Sequence, residues 1–339
     1  MLFRSCRRAK NTIAACVRIE QHRRSRKNTD FDGINASAVP CDLRIPYFIR
    51  LDGDISFIRN NEIALLEIDE YPFGNQPIHA HALRNLGNAG SMLARMRATA
   101  ETYGFSGEFP EEVESCADHL KREPLPECGE KRKDFRDMCI FTIDGASSKD
   151  YDDAVSIEEI ENGYRLGVHI ADVSHYVRFG SAIDREAYSR GTSLYLPGYT
   201  VPMLPEILSN DLCSLMPDQD RLAMSLFVDI SDSGRVLDHF LTRSVIRSCA
   251  RLTYAGVNRF FDGELDAVPA HVQEPLCKMR CLFEILLKKR RERGTVDFEL
   301  PEAQFILNEK YEPDEIECPK RGISERLIEE FMQIGRAHV

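Results

Sequence analysis

Apolar and polar positions along the chain follow two kinds of pattern. Up to residue 80, short apolar runs separated by turn residues predict strands at 44–51, 55–58 and 63–68. Strands of this length and spacing are typical of a small β-barrel and equally of an irregular β-meander. Residues 1–30 show neither helical nor strand periodicity, and we predict no regular structure there.

A helix and a linker follow the strand-rich stretch. Met92, Met96 and Ala100 recur at helical spacing, and Gly104 ends the pattern. Prolines and charged residues then become frequent, which is typical of a connection between domains. We therefore interpret 81–137 as helix and linker and place the domain boundary within it.

Predicted strands and one long helix follow from residue 138 onward. The apolar run 138–143 predicts a buried strand, and Asn162-Gly163 between two alternating runs predicts the turn of a hairpin. The runs 222–230 and 236–247 predict an antiparallel pair, and an apolar helical stripe ends at Gly294. The expected sheet is mixed or antiparallel.

Composition narrows the class of protein. The chain has 339 residues, 43% of them apolar, and no apolar run approaches the length of a bilayer-spanning helix. Its 11 cysteines include no Cys-x-x-Cys pair, which favours reduced thiols and a cytoplasmic location over a disulfide framework. The formal net charge of −11 argues mildly against nucleic acid, although a basic channel can lie within an acidic protein.

Four aspartates lie within ten residues directly after the predicted strand 138–143: Asp144, Asp150, Asp152 and Asp153. Two unit charges about 4 Å apart repel by roughly 1 kcal/mol in water and about 4 kcal/mol at an effective dielectric constant near 20. A solvated acidic turn is the commoner explanation of such a cluster. The flanking buried strands instead favour a magnesium-type site acting on a phosphate ester.

Eight segments, in chain order, resemble signatures of the ribonuclease II / ribonuclease R family. They are 142–145 (TIDG), 150–154 (DYDDA), 168–174 (VHIADVS), 190–193 (RGTS), 202–205 (PMLP), 208–215 (LSNDLCSL), 220–222 (DRL) and 251–254 (RLTY). The resemblance covers 138–333, which we interpret as the N-terminal part of an RNB-type catalytic domain, closer to the ribonuclease R branch. The fold that the resemblance implies for this domain is α+β. The resemblance also makes 31–80 a partial cold-shock-like oligonucleotide-binding (OB) barrel.

The resemblance implies a magnesium-dependent exoribonuclease, with manganese as the alternative ion. Such an enzyme degrades single-stranded RNA from its 3′ end to nucleoside 5′-monophosphates by two-metal catalysis. Asp144, Asp150, Asp152 and Asp153 match the family's catalytic, metal-binding acids. We expect no DNA or membrane partner and, in the absence of any signal for assembly, a monomer.

Three further residues match family positions that contact substrate. Tyr195 and Phe298 match an aromatic clamp on the terminal bases, and Glu330 matches an acid near the terminal sugar. Without the resemblance, each aromatic residue would more often belong to a core. Arg221, beside Asp218 and Asp220, is expected to buttress the acidic loops.

The two ends of the chain have a different character. Residues 1–5 and 334–339 resemble translated adapter sequence, so we expect 1–30 to be disordered or non-native and 334–339 to be a non-native tail. The family resemblance stops after residue 332, and we expect a fragment with weak or no activity. A non-catalytic RNA-binding fragment and a phosphoesterase for small substrates remain the alternatives.

Overall fold

The computed structural model describes residues 11–20, 35–71, 76–129, 131–295, 303–318 and 321–338. The chain divides into two compact units. The first comprises Met1–Phe109, Arg190–Met203 and Ala303–Glu317. The second comprises Pro110–Ser189, Leu204–Glu302 and Cys318–Val339.

A closed five-stranded barrel forms most of the first unit. Its strands are β1 (Thr12–Glu20), β2 (Asn35–Pro40), β3 (Ile49–Asp52), β4 (Glu62–Glu70) and β5 (Ile78–Asn88). They pair in the order β1-β2-β3-β5-β4, and the β3–β5 pair alone among these is parallel. Alanine, valine, leucine and isoleucine side chains fill the interior.

The barrel differs from the prediction at its start and in its extent. β1 lies in the stretch where we predicted no regular structure, and the barrel is closed and ends at Asn88, not at residue 80. β1 escaped detection because both of its faces are covered: Val17 packs in the barrel interior and Ala14 in a second cluster with Ala94. A strand buried on both faces shows no alternation. Residues 1–10 and 21–34 of the predicted irregular stretch lie outside the described residues.

The rest of the first unit consists of a turn that enters the barrel core and a few short elements outside the barrel. Ile55 and Ile58 enter the barrel core from a turn, so the predicted strand 55–58 is wrong. The remaining elements are one helix and two hairpins: α1 (Met92–Thr102), β10 (Leu194–Leu196) with β11 (Tyr199–Val201), and β15 (Gln304–Leu307) with β16 (Pro313–Glu317).

A seven-stranded mixed sheet forms the centre of the second unit. Its strands are β6 (Lys133–Phe135), β7 (Phe141–Asp144), β8 (Asp153–Ile160), β9 (Gly163–Ala171), β12 (Asp220–Ser231), β13 (Val236–Arg247) and β14 (Ala250–Thr253). They pair in the order β14-β7-β8-β9-β12-β13-β6. The two outermost pairs, β14–β7 and β13–β6, are parallel, and the central strands are antiparallel.

Helices cover one face of this sheet. Those of the second unit are α2 (Glu111–Arg122), α3 (Val173–Tyr176), α4 (Ala182–Arg190), α5 (Tyr254–Phe261), α6 (Ala270–Glu292) and α7 (Ile323–His338), with a π-turn at Leu208–Leu212 and a 3-10 turn at Leu265–Ala267. The largest core cluster joins the sheet to α5, α6 and α7 through Leu166, Val257, Met279 and Phe331. The predicted α+β class is confirmed. The residues predicted as a separate tail continue α7 as far as His338.

The β8–β9 hairpin is confirmed, with its turn one residue earlier than predicted. Ile160 pairs with Gly163, so the two-residue loop is Glu161-Asn162. Gly163 has φ +147°, and a Cβ there would lie 2.0 Å from the carbonyl oxygen of Ile230. Glycine is therefore required both by the close approach of β12 and by the positive φ at the start of β9.

Candidate active site at the end of β7

The ends of two neighbouring strands bring the aspartates together. Asp144 is the last residue of β7 and Asp153 the first residue of β8. The loop between them carries Asp150 and Asp152, and the main-chain oxygen of Asp152 accepts a 2.9 Å hydrogen bond from the amide of Ala171. The loop is thereby tied to β9 at its second acidic residue.

The four carboxylates form one electrostatic group. Burial and the charge of Asp153 raise the pKa of Asp144 to about 7. Burial and the charge of Asp152 raise the pKa of Asp153 to about 6, and loss of hydration together with the charge of Asp150 raises the pKa of Asp152. The protein therefore holds these carboxyl groups close enough to oppose one another's ionisation.

The donor set fits a hard divalent cation. Among the described residues, no three His, Cys, Asp or Glu side chains stand arranged as a ready-made metal site. One carboxylate oxygen, Oδ2 of Asp144, is nonetheless buried without a hydrogen-bond partner. An orphaned anionic oxygen beside three further carboxylates is the environment that a magnesium or manganese ion would relieve.

Arg251 supports the loop from β14. Its guanidinium donates a 2.9 Å hydrogen bond to the carbonyl of Ala146 and lies 5.0 Å from the centre of the Tyr151 ring. Tyr151 is buried, and its hydroxyl donates to the carbonyl of Ser148. The loop is therefore braced by a side chain as well as by its own backbone.

Tyr254 is a site residue to which the sequence pattern assigned no role. It begins α5, and burial with the charges of Asp144 and Asp153 raises its pKa to about 12. Glu325 and Glu329 of α7 contribute to the same shift. The signal was present in the 251–254 segment, whose last residue is this tyrosine.

The three residues predicted to contact substrate are not described in contact with the four aspartates. Tyr195 lies on β10 of the first unit and is 67% exposed, whereas the aspartates belong to the second unit. Phe298 lies outside the described residues. Glu330 is buried on α7, and its carboxylate accepts a 2.9 Å hydrogen bond from Arg290. The substrate roles of these three residues stay predictions.

Arg221 supports the site by a route other than the one expected. Its guanidinium bonds the carbonyl of Ser214 at 2.9 Å and a carboxylate oxygen of Asp211 at 3.0 Å. Asp220 is engaged elsewhere, by Arg136 and Arg247. The buttress therefore acts on Asp211 of the π-turn and on Ser214 after it, and Arg221 meets Asp220 at the main-chain oxygen and not at the carboxylate.

Comparison with known protein families identifies a domain that contains the four aspartates. The RNB domain matches residues 132–338, which is more than half of the chain. Ribonuclease R 1 of Lactococcus lactis is 41% identical over 294 residues, covering 85% of this chain and 36% of that protein. Ribonuclease R of Thermotoga maritima is 40% identical over 312 residues, covering 89% of this chain and 44% of that protein.

Solved structures agree with the sequence comparisons. Mycoplasma genitalium RNase R in complex with ribose methylated single-stranded RNA superposes with a TM-score of 0.85 at 29% identity. The match covers 97% of this chain and 50% of that one. The chain thus spans half or less of the length of these relatives.

Proposed function

The chain belongs to the RNB-domain family of ribonucleases, and from this premise we propose that its protein is a magnesium-dependent 3′-to-5′ exoribonuclease. Its substrate is single-stranded RNA and its products are nucleoside 5′-monophosphates. The observation that carries the proposal is the group of four aspartates at the β7–β8 junction, where burial and neighbouring carboxylates raise the pKa of Asp144, Asp152 and Asp153 and one oxygen of Asp144 is buried without a partner.

The aspartates would hold the catalytic cations. We assign Asp144, Asp150, Asp152 and Asp153 as ligands of magnesium, or of manganese in its place. When bound, such ions supply Lewis-acid chemistry at an RNA phosphodiester, activating water and neutralising the leaving 3′ oxygen. The chain's own contribution is to keep these carboxylates close together at the end of a rigid strand.

Aromatic stacking would hold the RNA. Tyr195 is exposed on a short hairpin, as a stacking residue must be, and Phe298 is proposed as its counterpart. Stacking is worth about 1–3 kcal/mol per base and does not depend on sequence. We further propose a cytoplasmic location, since all ten described cysteines are free. No helix in the described ranges is long and apolar enough to cross a membrane.

The test is cleavage of a 5′-labelled oligoribonucleotide with the chain in excess, so that even slow turnover is detected. We expect products that shorten from the 3′ end with release of mononucleotides, in magnesium or manganese and not in chelator. Asp152→Asn should lower the rate by at least about 100-fold while RNA binding is retained, because one ligand is lost and the fold is kept. Asp229→Asn, which alters a carboxylate paired with Arg165 on the sheet, is the matched control.

Three results would contradict the proposal. Internal cuts would indicate an endonuclease, and hydrolysis of a nucleotide monoester in preference to RNA would indicate a small-substrate phosphoesterase. RNA binding without metal-dependent cleavage, both by this chain at any excess and by a longer protein that contains it, would indicate a non-catalytic RNA-binding protein.

A further inference from the structure

The hydroxyl of one buried serine bridges the two peptide groups on either side of Asp150. Ser214 is fully buried, and its Oγ donates a 3.1 Å hydrogen bond to the carbonyl of Lys149. The same Oγ accepts a 3.1 Å hydrogen bond from the amide of Tyr151. A hydroxyl has one proton to donate and two lone pairs, so both bonds form together.

The backbone of the next residue, Leu215, forms a further hydrogen bond with the same loop. The amide of Leu215 donates a 2.8 Å hydrogen bond to the carbonyl of Tyr151, which is the peptide group that precedes Asp152. The orientations of Asp150 and Asp152 are therefore both coupled to the 214–215 segment.

The 214–215 segment is itself held rigidly. Arg221 bonds the carbonyl of Ser214, and the amide of Ser214 bonds the carbonyl of Asp211. Asp211 in turn pairs with Arg221 and with Lys121 at 2.9 Å. A support of this kind resists rotation of the peptide groups that it contacts, because each rotation would break a buried hydrogen bond.

We propose that Ser214 is a positioning residue for metal binding: its hydroxyl sets the direction of the Asp150 carboxylate, while the neighbouring Leu215 amide holds the peptide group before Asp152. This inference rests on the proposed function of the aspartates. Partners that orient metal ligands typically contribute about 10- to 100-fold in metal affinity or activity. Ser214 touches no reacting atom, so its effect should appear first in cation binding.

The experiment measures Mn²⁺ affinity of the whole chain by calorimetry, with thermal unfolding followed in parallel. Ser214→Ala should weaken Mn²⁺ binding by about tenfold or more, and Ser214→Thr, which keeps the hydroxyl, should recover most of the affinity. Ser244→Ala is the matched control: Ser244 is equally buried and bonded through Oγ to Ser225 and Ala223, within the sheet. It should lower stability without changing Mn²⁺ affinity.

The outcomes separate the two claims. If Asp152→Asn leaves Mn²⁺ binding unchanged, the proposed function of the cluster fails. If Asp152→Asn abolishes binding but Ser214→Ala and Ser244→Ala bind Mn²⁺ equally well, the proposed function stands and the positioning role of Ser214 is wrong. Weaker binding in Ser214→Ala than in Ser244→Ala at equal thermal stability supports the positioning role.

A separate observation concerns two thiols at the opposite ends of the same strands. The Sγ atoms of Cys139 and Cys249 lie 3.7 Å apart, just before β7 and β14. The amide of Cys249 bonds the carbonyl of Ile140 at 2.7 Å, so the strand pairing already holds the two backbones together. Cys139 is exposed and Cys249 is half-buried. A disulfide requires the sulfurs to approach to about 2 Å.

We infer that Cys139 and Cys249 form a reversible disulfide when the chain meets a disulfide oxidant such as glutathione disulfide. The exposed Cys139 thiolate attacks the oxidant, giving a mixed disulfide and one glutathione. Burial raises the pKa of Cys249 to about 12, so Cys249 attacks the Cys139 sulfur as its proton passes to the departing glutathione thiolate, which leaves as the second glutathione. Two thiols are oxidised and one disulfide is reduced, so the exchange balances.

Peptide mapping by mass spectrometry tests this step. Exposure of the reduced chain to glutathione disulfide should yield a 139–249 cross-link, reversed by dithiothreitol. Cys249→Ser should trap glutathione on Cys139, and Cys277→Ser, which changes another exposed thiol, should leave the cross-link unchanged. Absence of the 139–249 link while other cysteines become oxidised would overturn the inference.

Discussion

At the scale of single residues, the second unit buries both acidic side chains and a basic one. Asp144 and Asp153 are kept near one another with raised pKa values, whereas His169 is enclosed within the sheet. The His169 ring contacts the hydroxyls of Ser156 and Ser225 at 3.0 and 2.7 Å. Hydroxyl partners satisfy a neutral imidazole and offer no charge to balance a proton, which suits a structural histidine and not a catalytic base.

His169 should make the fold sensitive to acid. Burial lowers its pKa from 6.5 to about 3, so the folded state favours the neutral ring. Its contribution to stability is complete above the unfolded pKa and is lost as the pH falls from about 6.5 toward 3. At pH 5 the loss is about 2 kcal/mol, from about 1.5 pH units at about 1.36 kcal/mol each.

The measurement compares the wild-type chain with His169→Gln by chemical unfolding at pH 7.5 and pH 5. The difference in unfolding free energy between them should shrink by about 2 kcal/mol at the lower pH. The comparison cancels the opposite contribution of the aspartates, which both proteins share. An equal difference at both pH values would show that the buried ring does not resist protonation.

At the scale of elements, close packing of neighbouring strands determines which residues are allowed. Gly163 opens β9 against β12, where a methyl group would meet the carbonyl of Ile230 and the Cα of Ser231. Backbone atoms in the middle of a sheet cannot move aside as a flexible side chain can. The β8–β9 hairpin, which follows the acidic loop in the chain, therefore depends on a glycine at this position.

Gly163→Ala should destabilise the protein by about 2 kcal/mol or more, because the clash adds to the cost of the positive φ. Gly180→Ala is the control, since Gly180 also has a positive φ, +76°, but a methyl group at that position would have no atom within 4 Å. That variant should lose only about 1–2 kcal/mol. Equal losses in urea unfolding would mean that backbone strain, and not contact with β12, explains the glycine.

At the scale of the whole molecule, pH, cation binding and stability should be linked through the acidic group. For Asp144, with a pKa raised to about 7, the protonated carboxyl is favoured in the fold. Its stabilising contribution is present below about pH 3.8 and is lost as the pH rises through about 7. A divalent cation would remove the repulsion that remains at neutral pH.

Magnesium should therefore raise the melting temperature at pH 8 and have less effect at pH 5, where protons compete for the same oxygens. At a concentration about 100 times the dissociation constant the gain corresponds to about 2.7 kcal/mol. Differential scanning calorimetry of the wild-type chain and of Asp144→Asn measures it. A magnesium effect of the same size in the variant would place the ion elsewhere.

Much of the second unit follows from local chemistry. The strands at 222–230 and 236–247, the β8–β9 hairpin and the long helix were predictable because apolar spacing and turn residues act over a few residues. The acidic cluster was visible for the same reason, since all four aspartates lie within ten residues of one another along the chain. The family resemblance is confirmed by the RNB domain across 132–338, whereas the roles of the four aspartates stay a prediction.

What only the tertiary structure decided depends on contacts between distant segments. β1 was invisible because neighbours bury both of its faces, and the closure of the barrel joins Thr12–Glu20 to Glu62–Glu70. The bridge from Ser214 to the loop around Asp150 spans more than sixty positions. The amino-acid sequence alone therefore determined the local secondary structure and which acidic residues form the candidate site. Folding decided which distant groups bury the acids, which support them through hydrogen bonds and which neighbouring charges shift their pKa values. The reason is that hydration and Coulomb energy depend on separation in space.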